Sequence, residues 1–158
     1  MLRTGILLAG LLTLVMACGP DGSEPFGVAQ LTLRGPEGQA VNVPVYVAAT
    51  PQQRQRGLMG RTHLPAGTGM AFVYSQPVRV PFFMKNTLIP LEIAFYDERG
   101  RVVRVLDMEP CTTEPCPLYD AGTTFVGALE VNRGFFRQIG LREGWIVDSP
   151  KGLPTSER

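Results

Sequence analysis

The feature that most constrains the fold of this chain is a succession of short apolar runs, each bounded by turn-forming residues. The 158 residues include 18 glycines and 14 prolines, which together exceed average usage and favour many turns over long helices. Short runs that alternate in polarity or are rich in β-branched residues are typical of strands. The predicted strands are 28–34, 40–48, 69–74, 78–84, 91–96, 102–108, 124–131 and 144–147. We therefore predict a single mostly-β domain, built as an antiparallel sandwich or squat barrel with two short helices.

Two segments carry helix signals. Thr50 is suited to the cap of a helix, Pro51 to its first position and Gly57 to its end. A second short helix is predicted between Asn132, as the cap, and Gly140, because apolar residues recur there at helical spacing.

The start of the chain has the pattern of a signal peptide with a lipidation site. Arg3 precedes the apolar run 5–17, which is shorter than the roughly 20 residues that a membrane-spanning helix needs. The run ends in Val15-Met16-Ala17-Cys18, which resembles a bacterial lipobox. We expect cleavage before Cys18 and acylation of that cysteine, with about 0.8 kcal/mol of membrane affinity for each buried CH₂ group. Ordinary secretion is the alternative.

These signals divide the chain into four parts. Residues 1–17 are the predicted signal peptide, 18–27 a flexible tether, 28–149 the single domain and 150–158 a disordered tail. The protein is therefore expected outside the cytoplasm, on the periplasmic or surface side of the cell envelope, with the membrane as its partner through the lipid on Cys18.

The two remaining cysteines, Cys111 and Cys116, are predicted to form a structural disulfide in that oxidising compartment. A redox-active pair is the alternative, although the spacing differs from C-x-x-C. His63 is the only histidine, and a structural zinc site would need more ligands, so no metal is predicted.

Composition excludes several classes of function. A net charge of +1 without a basic stripe argues against nucleic-acid binding. No hydrolase signature of the G-x-S-x-G, Ser-x-x-Lys or H-E-x-x-H type is present, and no cofactor is predicted. Methionine thioethers could bind Cu(I), but methionines flanked by apolar residues more often fill a core. The four concerned are Met59, Met70, Met84 and Met108.

Five ordered blocks of sequence resemble the family called domain of unknown function 192. They are Arg56 to Arg61, Gly69 to Phe72, Phe83 to Glu92, Pro110 to Tyr119, and Ala128 to Gly134. The resemblance implies one mostly-β domain, often exported, without an established activity. Glu92 stands where the family pattern more often has Asp, and Phe83 where Trp is frequent.

Polar residues embedded in these apolar blocks are the candidate ligand-binding residues. They are Arg56, Arg61, Lys85, Asn86, Thr87, Glu92, Tyr119 and Glu130. Lys85, Asn86 and Thr87 offer a charge, an amide and a hydroxyl beside an apolar strand. We expect the side chains of Phe83 and Leu91 to face the core. Two structural alternatives remain open: a turn at Asn86-Thr87 whose side chains satisfy their own backbone, and an ion pair between Lys85 and Glu92.

The predicted function is a non-catalytic binding or accessory module of the envelope, with a small polar, anionic or carbohydrate ligand. The alternative is an enzyme acting on an envelope glycan through Glu92, Glu130 and Lys85, since paired carboxylates carry out glycoside chemistry. Cu(I) binding is a lesser alternative.

Overall fold

The computed structural model describes residues 25–148. The predicted signal peptide with Cys18, most of the predicted tether and the predicted tail lie outside the described residues. The strands are β1 (Gly27–Arg34), β2 (Ala40–Ala48), β3 (Gly69–Val78), β4 (Phe82–Phe83), β5 (Leu91–Tyr96), β6 (Val102–Met108), β7 (Leu118–Tyr119), β8 (Phe125–Asn132) and β9 (Ile146–Asp148). The helices are α1 (Pro51–Arg56) and α2 (Phe135–Ile139). No helix among residues 25–148 is long and apolar enough to span a bilayer.

Seven of the strands form one sheet in the order β6-β5-β8-β3-β2-β1-β9, which curls into a half-barrel. The predicted mostly-β class with two short helices is confirmed. One pairing departs from the antiparallel pattern, because β2 and β3 run parallel. Parallel neighbours need a crossover of a dozen or more residues, and residues 49–68, which include α1, supply it.

The sheet is covered on both faces by side chains of different strands. On one face, Leu31, Val43, Tyr96 and Trp145 belong to one buried cluster. On the other face, Met70, Phe72, Ile93, Phe95 and Phe125 belong to a second. Side chains alternate between the faces along each strand. Because both faces are covered, β5, which lies between β6 and β8, is buried at all six positions.

Each helix has a local reason for its bounds. Thr50 caps α1, because its hydroxyl accepts from the Gln53 N–H while the Gln53 side chain accepts from the Thr50 N–H. The predicted cap of the second helix, Asn132, is wrong. Gly134 holds that position with a φ of 89°, in the left-handed region that glycine adopts readily. Asn132 belongs instead to β8, and its amide donates to the carbonyl of Leu64.

The predicted strand 78–84 is the largest difference from the sequence prediction. Val78 is the last residue of β3, and only Phe82 and Phe83 of the remaining residues are in a strand. These two pair with the unpredicted strand β7 in a separate two-stranded sheet. Pro81 interrupts the run, since proline cannot donate to a ladder. Phe83 does not face the core as predicted, because its side chain is 42% exposed, whereas Leu91 is buried.

Candidate functional site

Glu130 lies in β8, opposite Met70 in β3 and Ile93 in β5, on the face of the sheet that α1 and β4 cover. Its side chain is only 5% exposed. No hydrogen bond or ion pair joins its carboxyl group to any other residue between 25 and 148, although it lines a cavity of about 300 Å³. A mostly buried carboxyl group that faces a cavity and not a protein partner is unusual, so this cavity is the candidate ligand site.

Aromatic side chains form the walls of this cavity. The lining residues are Arg54, Gln55, Arg56, Gly57, Leu58, Met59, Phe72, Tyr74, Pro81, Phe82, Phe83, Thr87 and Glu130. The ring of Phe82 packs edge-on against that of Phe72, with 5.0 Å between centroids. Apolar walls with a few polar groups are the usual composition of a small-molecule site, and about 300 Å³ lies at the lower end of the range.

Burial determines the protonation state of the Glu130 carboxyl group in the cavity. Loss of solvation raises the pKa of Glu130 to about 8, so the carboxyl group is mostly protonated at neutral pH. In that state it offers one O–H donor as well as acceptor oxygens. The pKa of Tyr74 is also raised, first by burial; the Arg54 charge opposes this shift and the Glu130 charge adds to it.

Arg54 fixes one wall of the cavity. Its Nη1 donates to the carbonyls of Ala49, at 2.5 Å, and Val73, at 3.0 Å, and its guanidinium lies 4.6 Å from the centroid of the Tyr74 ring. An arginine can combine such hydrogen bonds with stacking because its guanidinium is planar. Arg54 therefore holds α1 against the end of β2 and the middle of β3.

The predicted polar cluster at Lys85, Asn86 and Thr87 lies at this site, but its members face different ways. Thr87 is 6% exposed and lines the cavity with Glu130. Lys85 and Asn86 line an adjoining open groove of about 460 Å³, together with Arg56 and Phe83.

The structure decides between the alternatives for the turn. A turn is present, because the Thr87 N–H donates to the Met84 carbonyl at 3.1 Å and Asn86 has a φ of 58°. This bond joins two backbone groups and does not involve the side chain of Asn86 or Thr87. The ion pair between Lys85 and Glu92 is wrong. Lys85 Nζ lies 2.6 Å from Oε1 of Glu114 instead, and this contact lowers the pKa of the Glu114 carboxyl.

Glu92 and Glu130 do not form a carboxylate pair. Glu92 is opposite Val131, whereas Glu130 is opposite Ile93, so their side chains leave the sheet on opposite faces. The Glu92 carboxylate is buried and accepts from the Phe136 N–H in α2 at 2.8 Å. The predicted glycan chemistry through Glu92, Glu130 and Lys85 therefore lacks its geometry.

Two other candidate residues lie away from the cavity. The guanidinium of Arg61 lies 4.4 Å from the centroid of the Tyr46 ring. The hydroxyl of Tyr119 accepts from the Glu109 N–H at 3.0 Å. Arg61 and Tyr119 therefore make local contacts, and neither side chain lines the Glu130 cavity.

The predicted disulfide between Cys111 and Cys116 is confirmed, with 5.5 Å between the two Cα atoms. Three of the four methionines considered for Cu(I), Met70, Met84 and Met108, are core residues of the second buried cluster. Met59 lines the cavity and the adjoining groove.

Several cavity residues were not predicted from the sequence. Phe72, Tyr74 and Phe82 have the pattern of core residues, and only the crossover of α1 above the sheet shows that they surround a space. For Arg54, the sequence offered one indication of a role at the site. It lies two residues before the predicted ligand residue Arg56, in the same short helix.

Two solved structures and one family model are similar to this chain. A structure described as a candidate transcription regulator from Sinorhizobium meliloti has a TM-score of 0.75 and 26% identity, covering 81% of this chain and 98% of that chain. A protein of unknown function from Novosphingobium aromaticivorans has a TM-score of 0.72 and 27% identity, covering 86% and 94%. No curated protein matches. The model of the family named domain of unknown function 192, described as uncharacterized ACR, matches residues 32–149, and this chain belongs to that family.

Proposed function

We propose that this protein is a lipid-anchored binding module of the cell envelope, and that its domain holds a small ligand in the Glu130 cavity. The observation that carries the proposal is the Glu130 carboxyl group, which is buried, has no partner among residues 25–148 and faces an aromatic-walled space. A polar group that folding leaves unpaired is stabilised when a ligand supplies the missing hydrogen bond.

A carbohydrate ring fits the chemistry of the cavity best among the ligand classes considered. Its apolar faces can pack against the rings of Phe72, Tyr74 and Phe82, and its hydroxyl groups can bond to Glu130 and Thr87. The protonated Glu130 donates as well as accepts, which suits a hydroxyl group that also does both. We propose binding without catalysis, because Glu92, the second carboxylate considered for glycoside chemistry, is on the other face of the sheet.

Titration of the purified lipoprotein in detergent with N-acetylglucosamine, followed by ligand-observed NMR, tests the binding. The native protein should give saturable binding, and Glu130→Leu with Thr87→Val should remove it. Glu98→Gln, in the exposed turn after β5, is the matched control and should bind normally. Saturable binding that survives the double substitution, or no binding by the native protein to this sugar or to glucose, would contradict the proposed ligand class.

The anchor is tested separately. The residues Val15 to Cys18 support lipidation of Cys18. Cys18→Ser should release the folded domain from the membrane fraction and abolish the mass increment of acylation. Native protein that lacks this increment and retains Met1 would contradict the anchor.

A further inference from the structure

The ribbon of β4 and β7 carries an exposed apolar surface. Phe83 and Leu118 are opposite each other in its register, so their side chains share one face, and they are 42% and 66% exposed. Val80 and Leu88, which flank β4 in sequence, are also exposed. Of the five large apolar side chains that are exposed among residues 25–148, four are therefore in this ribbon or within five residues of β4 in sequence. Apolar residues grouped in this way mark an interaction surface.

The packing of β4 explains why the Phe83 side chain faces solvent. The ring of Phe82 packs against Phe72 and Phe95 on the inner side, with centroid distances of 5.0 and 5.4 Å. Successive residues of a strand point to opposite sides, so Phe83 must face away from the core. Outward exposure of Phe83 is thus a consequence of packing the partly buried Phe82 on the inner side.

The chain enters the described domain beside this ribbon. The carbonyl of Pro25 accepts from Nε2 of Gln53 in α1 at 2.9 Å, and the guanidinium of Arg56 in α1 lies 4.1 Å from the centroid of the Phe26 ring. Arg56 and Phe83 line the same groove. Seven residue steps separate Cys18 from Pro25, which is a span of at most about 25 Å.

We propose that the face of the ribbon formed by Phe83 and Leu118 rests on the phospholipid bilayer that holds the acyl chains of Cys18. This inference depends on the lipid anchor of the proposed function but not on the ligand. The tether limits how far α1 and the neighbouring ribbon can lie from that bilayer, and side chains of this kind partition into its interface.

The charges around the ribbon indicate which part of the bilayer makes the contact. Lys85 is paired with Glu114 and Arg79 with Asp120, at 2.6 and 3.8 Å. These pairs reduce the net charge that the ribbon presents to anionic headgroups. The apolar side chains therefore make the contact, and vesicles of neutral phosphatidylcholine should support it as well as anionic ones.

Fluorescence quenching by brominated phosphatidylcholine tests the contact in the lipidated full-length mature protein. The reporter is Leu118→Trp, and the matched control is Glu37→Trp in the β1–β2 turn, at the far end of the strand that follows the tether. Trp145 is buried and gives a constant background. At the depth of about 5–10 Å expected for interfacial groups, bromines should remove at least about half of the reporter's fluorescence and little of the control's.

Each other outcome overturns the inference or separates it from the anchor. Equal quenching of reporter and control in protein whose mass shows acylation would overturn the membrane contact while leaving the anchor intact. Protection of Leu118→Trp from acrylamide without quenching by bromines would show a second copy on this face, and would also overturn it. Phe83→Trp, at the position opposite Leu118 in the ribbon, is the second reporter if Leu118→Trp does not fold, as judged by circular dichroism, and it should behave like the first.

Discussion

Glu130 and Tyr74 face one cavity, and burial raises the pKa of both side chains. Ionisation of Glu130 there would place a negative charge near the Tyr74 phenol in a poorly solvated space. The sheet thus holds an acid in its neutral form at physiological pH. Neutral carboxyl groups of this kind are frequent at functional sites, and the raised pKa has a measurable effect on stability.

Stability should fall as pH rises from about 4.5 to about 8. In this window Glu130 is ionised in the unfolded chain, whose pKa is near 4.5, but not in the folded protein, whose pKa is about 8. The loss is at most about 1.4 kcal/mol for each pH unit, and it ends above the folded pKa. Glu130→Gln should remove this slope. Urea unfolding of the unlipidated Cys18→Ser protein at pH 5 and pH 8 measures it.

Glu98→Gln is the control for that experiment, because this exposed glutamate should leave the slope unchanged. The lowered pKa of Glu114 acts below about pH 4.5 and so lies outside the window. A Glu130→Gln protein with the native slope would mean that another group titrates.

Replacement of Glu92 should affect stability and not ligand binding. Glu92→Ala leaves the buried N–H of Phe136 without its acceptor, which costs about 1–3 kcal/mol. Glu92→Gln keeps an acceptor oxygen and should cost less. Urea unfolding compares the two variants, and the N-acetylglucosamine titration should be unchanged in both, since Glu92 is on the other face of the sheet. Weakened binding in a folded Glu92 variant would contradict this separation.

Asn86 should tolerate glycine better than alanine. Its φ of 58° lies in the left-handed region, which costs a residue such as alanine about 1–2 kcal/mol and glycine little. Thermal denaturation should therefore show a lower Tm for Asn86→Ala and a nearly native Tm for Asn86→Gly. Equal losses in both variants would indicate that the amide side chain, and not the backbone, matters.

Removal of the disulfide should cost about 2 kcal/mol, because the bridge joins residues five positions apart and closes only a small loop. The double variant Cys111→Ser, Cys116→Ser should unfold at lower urea concentration than the native protein. Dithiothreitol should lower the native midpoint to that of the variant and leave the variant unchanged. A native midpoint that is insensitive to reduction would argue against a stabilising bridge.

The sequence predicted elements well where local pattern alone determines them. Strands 40–48, 91–96 and 102–108 have the predicted bounds, since turn residues border each apolar run. The ribbon of β4 and β7 was missed because two-residue strands have no periodicity and exist only through their pairing.

The candidate site was only partly predicted, because strand pairing, which one sequence does not reveal, decides which face a side chain is on. Thr87 and Glu130 were identified as polar residues within apolar runs, and both line the cavity. Glu92 satisfied the same criterion but faces the other way, because a shift of one residue in register reverses the face of a side chain. Only the pairing of β5 with β8 distinguishes the two glutamates, and that pairing cannot be derived from one sequence.

The bridge between Arg101 and Ile146 brings the two ends of the seven-stranded sheet together at one rim of the half-barrel. The Gly144 N–H donates to the Val102 carbonyl and the Val147 N–H to the Gly100 carbonyl, at 2.8 and 2.7 Å. Free edges of sheets recruit strands from other molecules, which is how many aggregates begin. Copies held on one membrane by the proposed lipid anchor would share a two-dimensional surface and meet often. At this rim, the backbone N–H and C=O groups of the edge strands bond to each other. Fewer of them are therefore free to pair with a strand of a neighbouring molecule and start a fibre.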